Sequence, residues 1–85
     1  MERVLASPGR YRVIKFLITT GGSNITRIVR ELNASYTNVK RYLEEMINAG
    51  IVEEVRIGRT RYFVPVWRDP RVKLLRELIE SEYRE

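Results

Sequence analysis

Apolar residues recur every three or four positions in several stretches of this chain, a spacing that places side chains on one face of a helix. The first stretch predicts a helix from about Pro8 to Thr20. Ser7 is a good N-cap, and proline at the first helical position loses no needed hydrogen bond. The turn-forming residues of TTGGSN then end this helix. Its apolar stripe contains Tyr11, Ile14, Leu17 and Ile18.

Two further helices are predicted to follow each other across a short turn. The first of them covers roughly Ile25–Leu32, and the next covers residues 36–49. Between them, Asn33 can take the left-handed conformation that closes one helix, and Ser35 can cap the other. Two helices joined in this way form a helix-turn-helix arrangement. The apolar stripe of the later helix contains Val39, Leu43, Met46 and Ile47.

The β-rich runs IVEEVRI and RYFVPVW flank GRTR and predict a hairpin. A two-residue turn at Gly58 and Arg59 would set Arg56 directly opposite Arg61, and a like-charge pair is destabilising there. A four-residue loop over 58–61 would pair Arg56 with Phe63 instead. We therefore expect the longer loop, with Arg59 and Arg61 free to point away from the body.

A last helix is predicted after Asp69 and Pro70, a cap followed by proline at the first helical position. Its apolar face is long for so small a body to bury alone. We expect residues 1–68 to form one domain and residues 69–85 to form a C-terminal helix that follows it. This helix is expected to pair with a second copy of the chain. The alternative is that it folds back onto its own chain. The predicted dimer interface consists of Val72, Leu75, Leu78, Ile79 and Tyr83.

Charge points to a polyanionic partner. The 85 residues carry a net charge of +5, and the pI is about 10.0. Residues 69–85 hold four basic and five acidic side chains, so the positive excess lies upstream of them.

Composition also excludes several classes of function. The chain has no cysteine and no histidine, which removes thiolate metal sites and the commonest general base. We therefore expect no enzyme, no metal and no cofactor. No apolar run reaches the length of a membrane span, and we expect a soluble cytoplasmic protein. A Glu- and Arg-rich chain poor in amide and sulfur side chains is also typical of hyperthermophiles.

The stretch SNITRIVRELNASYTNVKRYLEEMINAGIVEEVRIGRTRYFVP resembles the winged helix-turn-helix domains of small prokaryotic transcription regulators. It is most similar to MarR- and ArsR-type regulators and their archaeal relatives. The resemblance covers residues 7–66 and rests on the apolar frame of residues 39–52, which leads into a hairpin with a Gly-Arg tip. It implies a mainly α fold with a β-hairpin (α+β), with an additional C-terminal helix.

The resemblance also implies a function as a sequence-specific reader of double-stranded DNA. The helix at about 36–49 would enter the major groove, and the hairpin at about 51–67, the wing, would contact the minor groove or phosphates. Recognition helices read bases with their N-terminal residues, and Asn, Lys and Arg can hydrogen-bond base edges. The DNA-binding residues carried over by position are Ser35, Tyr36, Thr37, Asn38, Lys40, Arg41, Arg59, Thr60 and Arg61.

Simpler interpretations stand beside these. Lys40 and Arg41 can form ordinary helix-surface pairs with Glu44 and Glu45, and Tyr36 can be an aromatic at the edge of the core. The whole fold can also serve as a protein–protein interaction module without DNA contact, because fold alone does not determine function. The chain lacks the Cys and His residues of ArsR-type metal sensors, so metal sensing is not expected.

Overall fold

The computed structural model describes Val4 and residues 6–83. Their architecture is mainly helical with one two-stranded antiparallel hairpin, as the sequence predicts. The elements are α1 (Pro8–Thr20), α2 (Ile25–Leu32), α3 (Tyr36–Asn48), β1 (Val52–Ile57), β2 (Thr60–Pro65) and α4 (Pro70–Glu82). Among the described residues, no helix combines the length and apolar character that crossing a bilayer requires.

Side-chain caps set where the helices begin. The side chains of Ser7, Asn24, Ser35 and Asp69 each accept a backbone N–H from the first turn of the following helix. These bonds satisfy donors that have no partner within the helix. At the other end of α2, Asn33 takes a φ of 49°. The turn between α2 and α3 is therefore encoded locally, and the predicted boundaries are confirmed to within one residue.

One apolar core joins the helices to the base of the hairpin. The predicted stripe of α3 supplies Val39, Leu43 and Met46 as buried side chains, while Ile47 is half-buried. Because these residues face inward, the polar N-terminal residues of α3 must face outward. Other core side chains are Val13, Ile14, Leu17, Ile28, Ile51, Val52, Phe63, Val72, Leu75 and Ile79.

The hairpin has a two-residue turn, so the predicted four-residue loop is wrong. Arg56 lies opposite Arg61, and Phe63 lies opposite Glu54. Gly58 takes a φ of 61°, and glycine at the first central position is what a type II′ turn requires. Arg61 therefore belongs to β2 and does not lie in the loop.

The like-charge pair is tolerated because Glu54 neutralises Arg61. The Arg61 Nε donates to Glu54 Oε1 at 2.9 Å, and Nη2 donates to the same oxygen. This hydrogen bonding holds the pKa of Glu54 below its usual value. An exposed like-charge pair costs at most about 1 kcal/mol, and here a nearby carboxylate offsets it. The turn geometry consequently decides the register.

Backbone hydrogen bonds outside the hairpin also attach the wing to the body. Ser23 and Phe63 exchange two backbone hydrogen bonds, at 3.1 and 2.8 Å. The approach needs a glycine at the preceding position, since a Cβ on Gly22 would lie 3.2 Å from the Phe63 carbonyl oxygen and φ there is 137°. This bridge fixes the wing beside the N-terminus of α2.

The C-terminal helix folds back onto its own chain. Of the five residues predicted to form a dimer interface, Val72, Leu75 and Ile79 are buried in the core described above, whereas Leu78 and Tyr83 are exposed. The five therefore cannot act as one continuous exposed stripe.

Polar contacts reinforce the docking of α4. Glu82 accepts hydrogen bonds from the Tyr11 hydroxyl at 2.6 Å and the Lys15 ammonium at 2.8 Å, both on α1. At the other end, Arg71 donates to the Ala49 carbonyl oxygen at 2.8 Å. Hydrogen bonds from Arg71 lower the pKa of Asp69 to about 2. Both ends of α4 are thus tied to the body.

Candidate nucleic-acid interface

The N-terminal half of α3 presents the side chains expected to contact DNA. Ser35, Tyr36, Thr37, Asn38, Lys40 and Arg41 are all exposed. Ser35 also has a structural task, because its hydroxyl accepts the Asn38 backbone N–H at 3.3 Å. Tyr36 is 54% exposed, so much of its side chain is open to solvent.

The helical geometry of α3 places four of these side chains on two different faces. Tyr36 and Lys40, one turn apart, face the wing and line a narrow groove with Arg61 and Phe63. Thr37 and Arg41 follow them by 100° of helical rotation and lie opposite the buried stripe. The side of α3 that points away from the core therefore carries the polar side chain of Thr37 and the basic side chain of Arg41.

The ion pairs expected to neutralise this surface do not form. Glu45 accepts from Arg10 on α1, at 2.6 Å to Nε and 3.0 Å to Nη2, and not from Arg41. The Arg41 guanidinium lies 5.3 Å from the centre of the Tyr42 ring. Within the described part of the chain, Lys40 has no ion pair either. Both cations remain available to an external anion.

The two wing arginines that were predicted to contact DNA have different surroundings. Arg59 lies in the turn, is exposed, and forms no ion pair with any described residue. Thr60, the first residue of β2, is exposed beside it. Arg61 points instead to Glu54, whose hydrogen bond raises the pKa of the guanidinium. Of these two arginines, Arg59 is the one without an ion pair to a described residue.

Two arginines that sequence reasoning did not assign to the site join it in the structure. Arg27 and Arg30 lie on the exposed side of α2 and line an open groove of about 560 Å³ together with Tyr36 and the wing residues 59–61. Their spacing of three residues places them on one face of α2, which the sequence does indicate. Their proximity to the wing depends on the Ser23–Phe63 bridge and has no sequence signal.

A family model described as winged helix-turn-helix matches residues 13–63, more than half of the chain. The chain belongs to the winged helix-turn-helix family. The matched range contains α2, α3 and most of the hairpin, which are the elements that form the exposed surface described above.

The solved structures that resemble this winged helix-turn-helix protein include transcription regulators. The AntR antimony-specific transcriptional repressor is 25% identical, with 98% of this chain and 77% of AntR covered and a TM-score of 0.76. A possible transcriptional regulator for arsenical resistance is 28% identical, with 98% and 83% covered and a TM-score of 0.67. The MarR family regulator SPO1453 from Silicibacter pomeroyi shares the fold at 20% identity, with 98% and 60% covered and a TM-score of 0.70. No curated protein matches the sequence.

The winged-helix fold is typical of DNA-binding transcription regulators. Among the described residues, no group of three or more Cys, His, Asp or Glu side chains is placed to hold a metal ion.

Proposed function

We propose that this protein is a sequence-specific double-stranded DNA-binding regulator of transcription, with α3 in the major groove and the wing on the adjacent minor groove or phosphates. The observation that carries the proposal is the exposed start of α3, where Lys40 and Arg41 form no ion pair with any described residue. Lysine and arginine are the side chains that most often read guanine in the major groove. The family membership and the regulators among the structural neighbours support the same function.

We further propose that the protein acts as a homodimer through α4. Leu74, Leu78 and Tyr83 are exposed on this helix, at 63, 45 and 69%, although the same helix buries its central face in its own chain. A two-fold dimer suits a DNA reader because its symmetry matches palindromic half-sites.

Duplex DNA binding, followed by fluorescence anisotropy across a salt series, tests the DNA proposal. We expect log affinity to fall steeply with log salt because bound counterions are released. Lys40→Ala combined with Arg41→Ala should weaken binding and reduce discrimination between duplex sequences. A matched control is Arg68→Ala with Lys73→Ala, which removes the same charge from exposed positions outside both grooves.

The alternative is a protein–protein interaction module. The exposed apolar residues Val55 and Ile57 on β1, at 39 and 62%, are the observation that favours it. If the wild-type protein bound no duplex at low salt, the DNA proposal would be wrong and this alternative would take its place.

A further inference from the structure

The Arg10 side chain, on α1, is held by several contacts at once. Its Nε and Nη2 donate to the two carboxylate oxygens of Glu45 on α3, at 2.6 and 3.0 Å. Its Nη1 donates to the Ser7 hydroxyl at 3.2 Å, and its Cζ lies 4.8 Å from the centre of the Tyr42 ring. Only 21% of the Arg10 side chain is exposed. Arg10 is therefore fixed between α1 and α3.

The Tyr42 ring also contacts Arg41, the residue before it on α3. The Arg41 Cζ lies 5.3 Å from the centre of that ring, and a cation over an aromatic face is favourable. The ring itself packs closely on α1, since a Cβ added to Gly9 would lie 2.9 Å from the Tyr42 hydroxyl oxygen. One aromatic side chain thus supports two guanidinium groups, that of half-buried Arg10 and that of exposed Arg41.

Glu45 is the carboxylate that Arg41 would meet if Arg10 did not hold it. It lies four residues after Arg41, a spacing at which a helix brings an acid and a base together. A pair with the base before the acid is the weaker of the two orders. The contact from Arg10 is stronger because two donors meet both carboxylate oxygens. Glu45 accordingly pairs with Arg10, and its hydrogen bond raises the pKa of the Arg10 guanidinium.

The pairing of Glu45 with Arg10 has a consequence for the charge that α3 presents to DNA. Arg41 forms no ion pair within the described part of the chain. A carboxylate beside it would neutralise its charge and repel nearby phosphates. A guanidinium that already lies against a ring also loses less side-chain freedom when it binds. The contacts of Arg10 therefore favour an Arg41 that is both charged and oriented.

We propose that Arg10 is a positioning residue for DNA binding. It holds the Glu45 carboxylate away from Arg41 and, through the Tyr42 ring, keeps the Arg41 guanidinium in place for the major groove. This inference rests on the proposed function. It assigns a part in binding to α1, which lies outside the helix-turn-helix, and it requires no contact between Arg10 and DNA.

The test is a double-mutant cycle between Arg10 and Arg41. Affinity is measured by fluorescence anisotropy at one salt concentration, on a duplex selected from a random-sequence pool. Arg10→Met removes the charge and retains an apolar stem that can pack on Tyr42. We expect it to weaken binding about two- to fivefold, the effect of one exposed ion pair that competes with DNA. In an Arg41→Ala background the same substitution should have no further effect.

Lys40→Ala supplies the matched control background. Lys40 carries one exposed positive charge on α3, as Arg41 does, but it lines the narrow groove beside the wing. Arg10→Met should weaken binding as much in the Lys40→Ala background as in the wild type. A general disturbance of the fold would act in every background, so this pattern requires a route through Arg41.

Removal of the Glu45 charge is the second arm of the test. In the Arg10→Met protein, Glu45→Gln should restore affinity to near the wild-type value, because the carboxylate that neutralises Arg41 is gone. Glu44→Gln removes the same charge one residue away, and its effect should be the same with or without Arg10. Circular dichroism checks that each variant folds. If Arg10→Met does not fold, Arg10→Lys, which loses the bidentate geometry, should give the same pattern with a smaller amplitude.

The outcomes separate the two proposals. Absence of duplex binding by the wild-type protein overturns the proposed function itself. Wild-type binding with equal losses from Arg10→Met in the Arg41→Ala and Lys40→Ala backgrounds overturns the positioning role alone, because Arg10 would then contact DNA itself or only stabilise the fold. Failure of Glu45→Gln to restore binding in the Arg10→Met protein also overturns it.

Discussion

At the scale of single residues, the positive charge that each wing arginine can offer to DNA depends on whether a carboxylate lies beside it. Arg59 and Arg61 are two positions apart and both exposed. Only Arg61 has Glu54 as a hydrogen-bonded partner, because the two-residue turn places Glu54 diagonally across the strands. A charge already neutralised by a carboxylate attracts phosphate less than a free one does.

Replacement of each arginine by alanine should therefore have unequal effects on DNA binding. We expect Arg59→Ala to lower the salt slope by about one unit, the loss of one phosphate contact, and Arg61→Ala to lower it by less. Anisotropy titrations at several salt concentrations measure both slopes. Glu54→Gln serves as the companion variant, because it frees Arg61 and should raise affinity. A larger effect of Arg61→Ala than of Arg59→Ala would show that the ion pair with Glu54 does not persist on DNA.

At the scale of elements, α4 is a component of the core and not an appended segment. Leu75 is 1% exposed while its neighbour Leu74 is 63% exposed. Adjacent residues on a helix point 100° apart, so one leucine lies in the core and the other in solvent. The contacts of Glu82 with Tyr11 and Lys15 hold the far end of the helix on α1.

The two leucines make a matched pair for a stability measurement. Leu75→Ala should reduce the free energy of unfolding by about 2–5 kcal/mol, because it leaves a cavity in a packed core. Leu74→Ala should change it by less than about 0.5 kcal/mol in the absence of a partner chain. Urea denaturation followed by circular dichroism, at a concentration where the protein is monomeric, gives both values. Equal effects of the two substitutions would contradict the docking of α4 on its own domain.

At the scale of the whole molecule, self-association has to use the surface that folding leaves exposed. Removing α4 would open the core, so truncation cannot separate dimer formation from folding. Surface substitutions can, since Leu74 and Leu78 lie one turn apart on the same side of α4.

We expect Leu74→Glu with Leu78→Glu to convert a dimer into a folded monomer. Two carboxylates in an apolar contact leave buried charges without partners. Light scattering after size exclusion gives the mass, and circular dichroism confirms the fold. The control is Val55→Glu with Ile57→Glu, the same chemical change on the wing, which should leave the dimer intact. A monomeric wild-type protein at all concentrations would rule out the dimer.

The helix boundaries and their caps can be predicted from sequence because each depends on a few adjacent residues. Asn24, Asn33 and Ser35 act on their own turns, and periodic burial follows from helical geometry. The exposed surface of α3 is accessible for the same reason, since the inward stripe of Val39 and Leu43 leaves the other faces outside.

Local sequence therefore specifies the helices and strands, the polar start of α3 and the excess of positive charge. Tertiary structure decided the rest. The pairing of Glu45 with Arg10, the meeting of Arg27 and Arg30 with Arg59, and the burial of Leu75 all join segments far apart in the chain. Such contacts depend on how the elements pack, so they cannot be predicted from the spacing of residues along the chain. The turn at Gly58 is the instructive exception, because there a local rule of glycine geometry outweighed a charge repulsion that a more distant carboxylate relieves.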